Sequence, residues 1–228
     1  MGRTTEHRPW LPFANRADAG ARLARKLHRF AGHQDVAVLG LARGGVPIAA
    51  AVATALGRPL GALSVRKLGV PGSPEVAFGA MARYGGHTTT VHRHHTMDHL
   101  RRDGYTVAEL DAVAAAEEAE LARRRQLFAP DPELPVAGLT VLLCDDGIAT
   151  GATMEAAVRV MREAGAASVL ACIPAAPAQA CRDLAGVADE VVCLQPWRDL
   201  HAVSEAYLRF EQLSDSQVLA LLKRRERP

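Results

Sequence analysis

The chain has 228 residues, 49% of them hydrophobic but only 4% aromatic, with a formal charge of +2. A near-neutral mix of acids and bases argues against nucleic-acid binding through a whole-protein field, and no apolar run approaches a membrane span. The opening MGRTTEHRPWLPF lacks a long apolar stretch, so no export signal is read and a soluble cytoplasmic protein is the expectation.

A core of Ala, Val and Leu suits helices stacked on a parallel sheet. Residues 16–30 carry Ala19, Leu23, Leu27 and Phe30 on one stripe and predict an amphipathic helix. The apolar run 36–42 predicts a buried strand that ends at Arg43-Gly44-Gly45. A helix over 46–56 follows, with Pro47 tolerated in its first turn, and then a buried strand over 59–65. Residues 66–104 differ in kind. They are rich in Gly and Pro and contain a hairpin signal, EVAFGAMA to HTTTV, around Tyr84-Gly85-Gly86. A helix of about twenty residues is expected near 107–128. Strand 139–145, helix 153–164, strand 168–173, helix 177–184 and strand 190–194 restore the alternation. Residues 196–228 form a mixed segment that closes on a short helix capped by Ser214 and Asp215. The pattern predicts an α/β fold with a doubly wound parallel sheet, whose ligands bind at the carboxyl ends of strands. Arg43-Gly45, Arg66-Lys67 and Asp145-Thr153 all fall at such ends.

Cys144, Cys172, Cys181 and Cys193 show no CxxC spacing and read as buried thiols in a reducing compartment. The stretch VLLCDDGIATGAT, 141–153, carries the chemistry. Two carboxylates at the tip of a buried strand repel each other and resist desolvation, so they need cations, hydroxyl donors or a metal nearby. The small residues after them leave backbone N–H groups accessible, Thr150 and Thr153 add hydroxyls, and a helix begins. Such a loop cradles a phosphate. Hydroxyl or metal recognition beside phosphate recognition fits a sugar phosphate. No GxxxxGK[ST], no DxD and no GxGxxG is present, so a P-loop NTPase, a DxD phosphatase and a dinucleotide fold are set aside.

A strand, Asp-Asp, a small-residue loop and Thr together resemble the phosphoribosyl diphosphate (PRPP) signature of type I phosphoribosyltransferases. LARGG (41–45) resembles that family's short diphosphate loop, and VRKLG (65–69) its basic turn after the next strand. The resemblance covers about residues 13–220 and is nearest to bacterial members of unassigned acceptor. It implies one phosphoribosyltransferase domain over 1–228. In it, 66–135 form a lid hairpin and helical insertion, and the N-terminal and 195–228 segments form a small hood. By that resemblance Asp145 and Asp146 hold the ribose hydroxyls, directly or through Mg²⁺-bound water. Ala149, Thr150, Gly151, Ala152 and Thr153 take the 5-phosphate. Arg43, Gly44 and Gly45 grip the diphosphate, with a strained or cis peptide before Arg43, and Arg66 and Lys67 neutralise it as it leaves. Trp197 lies where the hood covers the acceptor and either stacks on it or packs within the hood.

The resemblance also implies Mg²⁺, transfer of 5-phosphoribosyl from PRPP to a small-molecule nitrogen nucleophile, and a homodimer. The alternatives are a regulator that binds PRPP or a nucleotide without turnover, or the reverse cleavage of a nucleotide by diphosphate. Gly147 departs from the family's usual aliphatic residue. Ala149 stands where enzymes for 6-oxopurines carry an acid, which makes such an acceptor unexpected. His87, His92, His94, His95 and His99 crowd one segment without a fixing carboxylate pattern and read as exposed lid residues. Arg123, Arg124 and Arg125 close a helix, where they either offset its dipole or touch ligand or a neighbouring subunit.

Overall fold

Strand β1 (Val36–Ala42) is apolar at every position and buried along its whole length, as a central strand covered on both faces requires. In the computed structural model it pairs in parallel with β2 (Leu60–Val70) on one side and β5 (Thr140–Cys144) on the other. The structure describes residues 10–128 and 133–223, apart from the side chain of Glu75. The outer ends of the expected hood and residues 129–132 of the expected insertion lie outside the described residues. β6 (Ser168–Pro177) and β7 (Glu190–Trp197) continue the parallel sheet beyond β5. β3 (Ser73–Tyr84) and β4 (His87–His92) extend it beyond β2 in antiparallel fashion. The seven strands run in the order β4-β3-β2-β1-β5-β6-β7.

Helices cover both faces, which is the α/β architecture expected from the sequence. Helices α1 (Arg16–Lys26) and α2 (Gly45–Leu56) bury Leu23, Ile48 and Val52 against Val38, Leu142 and Cys172. α5 (Ala152–Glu163) and α6 (Ala178–Leu184) bury Met154, Val158, Met161 and Leu184 against Leu39, Leu143 and Ile173 on the other face. Each fully buried aliphatic side chain of this kind contributes about 1.5–3 kcal/mol. Among the described residues no helix is long and apolar enough to cross a membrane. Cys144 and Cys172 are buried as expected, whereas Cys181 and Cys193 are only half-buried, and all four are free.

The expected lid hairpin, β3 and β4, forms the antiparallel edge of the otherwise parallel sheet. β2 does not stop at Val65. Its backbone groups through Val70 pair with β3, with a register irregularity at Gly69, where an added Cβ would lie 2.8 Å from the carbonyl oxygen of Pro74. Leu68 and Val70 turn inward onto Phe78, Met81, Leu100 and Leu121, a small separate core that makes the extension stable. Arg66 and Lys67 therefore lie within a strand, not in a turn after one. The first helix ends at Lys26 and gives way to a 3₁₀ turn over His28–Phe30, with Leu27 at the cap. α3 (His94–Arg102) is an element the sequence pattern does not predict; α4 (Val107–Phe128) matches the long helix, and α7 (Asp215–Lys223) closes the described chain. Ser214 begins α7 with a reciprocal cap: its Oγ accepts from the Gln217 N–H, and Gln217 Oε1 accepts from the Ser214 N–H.

Candidate active site

After β1 the chain crosses to β2 on one side, while β5 returns to the other side of β1. This is the point where strand order reverses and where such sheets bind ligands. Two loops meet there, 43–45 after β1 and 145–151 after β5. Their approach depends on glycine. A Cβ on Gly44 would lie 2.2 Å from Asp146 Oδ2, and one on Gly45 would lie 2.2 Å from the carbonyl oxygen of Cys144. The Ala42–Arg43 peptide is cis.

Asp145 and Asp146 follow the last residue of β5. Asp145 Oδ1 accepts the Asp146 N–H at 2.9 Å, which folds its carboxylate back over the turn. Burial, then the neighbouring charge of Asp146, pushes the Asp145 carboxyl well above the usual range, with Lys67 and Arg16 opposing. Burial raises Asp146 as well, opposed chiefly by Arg16. Arg16 Nε donates to Asp146 Oδ2 at 2.8 Å, and its NH1 donates to the Glu211 carbonyl at 2.7 Å. The Arg16 guanidinium lies over the Phe210 ring, 3.9 Å from its centroid. Tyr207 donates its hydroxyl to the Asp146 carbonyl, and burial, with the Asp146 charge behind it, raises its own pKa.

Beyond the acids the chain reaches Gly151 at φ 78°, a left-handed conformation that suits glycine, and then enters α5. The first N–H groups of α5 face the loop with no partner inside the helix. Gly147 is explained by its neighbour, because a Cβ there would lie 2.4 Å from Val203 Cγ1. Val203 fills the space that an aliphatic residue would take.

These parts open into one cleft of about 990 Å³. It is lined by Arg43, Gly44, Arg66, Lys67, Asp145, Asp146, Ala149, Thr150, Gly151 and Thr153, so most of the expected site residues converge. Gly45 and Ala152 sit behind the lining as buried packing positions. Trp197 is not brought to the cleft. It ends β7, half-buried, packs with the core on the α1–α2 face, and leaves its Nε1 without a hydrogen-bond partner among the described residues. Arg43 and Arg66 are both engaged. Arg66 Nε pairs with Glu117 of α4 at 2.5 Å, and Arg43 NH1 with Asp215 of α7 at 3.3 Å. Arg124 also borders the cleft and pairs with Glu120, as does Arg123, while Arg125 reaches Glu133.

Asp145 and Asp146 are the residues that could hold a cation. Among the described residues no group of three or more His, Cys, Asp or Glu could hold a metal ion. Two carboxylates in a water-accessible cleft suit Mg²⁺, which keeps several waters and takes further oxygens from a phosphorylated ligand. The upward pressure on both carboxyls is what an added dication would relieve.

The family description "phosphoribosyl transferase domain" matches residues 12–206, most of the described chain. The chain belongs to the phosphoribosyl transferase domain family. A protein of Mycobacterium tuberculosis H37Rv, provisionally named a phosphoribosyl transferase, is 43% identical over 216 residues, which are 94% of this chain and 47% of the relative. The protein of strain CDC 1551 matches equally. The chain thus spans about half the length of the curated relatives it matches. A crystal structure of a Thermus thermophilus protein is 38% identical with a TM-score of 0.71, covering 93% of this chain and 98% of that one. An Aquifex aeolicus protein shares 11% identity with a TM-score of 0.50, covers 79% of this chain and 74% of its own, and is similar in fold alone.

Several residues of this phosphoribosyl transferase domain that the motifs do not reveal border or brace the site. Arg16, Tyr207 and Phe210 arrive from the two ends of the chain, and no local spacing marks them. Glu117 lies in α4, far along the sequence from the Arg66 it holds. Arg93, between β4 and α3, donates to the Thr150 carbonyl from behind the loop and lies 4.0 Å from Glu155. A lone arginine beside a histidine run gives no signal for that role.

Proposed function

We propose that this chain is a PRPP-dependent phosphoribosyltransferase. It moves 5-phosphoribosyl to a ring nitrogen of a nucleobase or related heterocycle, and diphosphate leaves. The observation that carries this reading is the opening of the acid pair and the Ala149–Thr153 loop into the same cleft as Arg43-Gly44 and Arg66-Lys67. In it the helix-end amides and Thr150 and Thr153 hold the 5-phosphate, while Asp145 and Asp146 hold the ribose hydroxyls. Breaking the C1–O bond develops positive charge on the sugar and negative charge on the diphosphate. The carboxylates sit beneath the first, and Arg43, Arg66 and Lys67 face the second. Mg²⁺, bound through the two aspartates and the donor's oxygens, would supply charge neutralisation of the leaving group. Pro71 and Gly72 of the β2–β3 turn, Pro74 of β3 and α4 wall the cleft, and a bound donor between them would be shielded from water.

One observation favours the second reading, a regulator that binds PRPP or a nucleotide without turnover. Both arginines expected to grip diphosphate are already paired with acids. Mixing the protein, Mg²⁺ and PRPP with a panel of bases, and following diphosphate release, separates the two. Turnover with any base supports the transferase. Tight PRPP binding with no turnover across the panel replaces it with the regulator.

A further inference from the structure

Outside the cleft, the strongest unassigned constellation is a pair of histidines on α3. His95 and His99 are four residues apart on that helix and both are exposed. Their Nε2 atoms lie 3.0 Å apart and their rings are perpendicular, with centroids 4.4 Å apart. Neither lines the cleft. The opposite side of the helix carries Leu100, buried in the small core with Leu68, Val70 and Phe78. The pair therefore points to solvent on a helix anchored from behind.

We propose that His95 and His99 form a two-imidazole site for a late first-row transition-metal dication. Imidazole nitrogens bind such ions at about 2.0–2.1 Å. At that bond length a nitrogen separation of 3.0 Å subtends roughly 95° at the ion. That is close to the right angle of cis ligands in tetragonal or octahedral coordination. A tetrahedral ion would need the nitrogens about 0.3–0.4 Å further apart. The site accordingly favours Cu²⁺ and Ni²⁺ over Zn²⁺, in line with their general order of affinity for nitrogen ligands, and rejects Mg²⁺, which takes oxygen. Water completes the coordination, because the described residues supply no third ligand. In the metal-free pair one ring donates its Nε2–H to the other. On binding, that ring carries its proton on Nδ1 instead, so both Nε2 lone pairs meet the ion and neutral rings release no proton. Asp98, between them in sequence, pairs with Arg101 at 3.3 Å.

The test is calorimetric titration of the full chain with CuCl₂, NiCl₂, ZnCl₂ and MgCl₂ in a weakly coordinating buffer, beside His95→Ala, His99→Ala and His94→Ala. One equivalent of Cu²⁺ and of Ni²⁺ should bind with micromolar dissociation constants and Zn²⁺ more weakly, while any Mg²⁺ heat, which belongs to Asp145 and Asp146, should be the same in His95→Ala and His99→Ala as in the parent. His95→Ala or His99→Ala should each weaken Ni²⁺ binding at least tenfold, and His94→Ala should leave it within twofold. Ni²⁺ should also raise the melting temperature of the parent and of His94→Ala, but not of the other two variants. These readouts stand whether or not the chain turns over PRPP. Ni²⁺ affinity unchanged in His95→Ala and His99→Ala, an equal loss in His94→Ala, or no binding to the parent would overturn the assignment. Circular dichroism of each variant separates loss of ligand from loss of fold.

Discussion

The two halves of the cleft are built differently. The half proposed to hold sugar and 5-phosphate is one continuous stretch, Asp145 to Thr153, set on a buried strand and the start of a helix. The half proposed to face diphosphate is assembled from β1, β2, α4 and α7, and its arginines are held by Glu117 and Asp215. A contiguous stretch carries its own geometry. An assembled wall depends on ion pairs that a ligand must compete with, so its affinity is adjustable without touching the chemistry.

That contrast can be broken most strongly at the acids. The double change Asp145→Asn with Asp146→Asn should lower diphosphate release by a factor of about 10²–10³ or more, while circular dichroism shows an intact fold. Asp145→Asn alone should at the same time raise the melting temperature at pH 7. Its folded carboxyl is pushed above the ordinary value, so the unfolded chain ionises first as pH rises. Burying the charge then costs stability above about pH 4, and the gain from Asn should vanish near pH 3. Equal melting temperatures of parent and variant at pH 7 would contradict the electrostatic account.

On the assembled wall the effects should be smaller and of both signs. Arg66→Met should reduce kcat/KM for PRPP by roughly 10- to 100-fold, the loss of a charge-assisted contact. Glu117→Gln should do the opposite, lowering KM for PRPP about two- to fivefold by releasing Arg66 from a half-exposed pair. Asp215→Asn should lower that KM by about twofold through Arg43 and cost about 0.3–1 kcal/mol at the start of α7, read as a small drop in melting temperature. If Glu117→Gln raised KM, the acid would be positioning Arg66 and not competing for it. Least of all, Trp197→Phe should leave acceptor KM unchanged, since the indole packs in the core and not in the cleft.

Much of this is readable from the chain. The strand–helix alternation is legible because parallel strands need continuous apolar runs, and 36–42, 140–144 and 168–173 have them. The acid pair and its loop are legible because their partners are neighbours in sequence. The extension of β2 through Val70 is not, because RKLGV among prolines and glycines reads as a turn until β3 supplies the pairing. α3 escapes notice because it has no side-chain cap at Arg93 and buries only Leu100. Trp197 is assigned to the hood by analogy of position, whereas β7 runs on to that residue and keeps it in the sheet. Arg16 cannot be found locally, since its carboxylate partner lies 130 residues away.

That last pair fixes when the site can form during synthesis. Phe13 exchanges backbone hydrogen bonds with Ala206 and Leu208, and Arg16 reaches the Glu211 carbonyl, so the segments 13–16 and 206–211 together clasp Asp146. A nascent chain that has emerged only through β7 already holds Arg16 and Asp146, yet lacks the tyrosine, the phenylalanine and the carbonyl that lock them. Completion of this clasp during translation must therefore wait for residues 207–211.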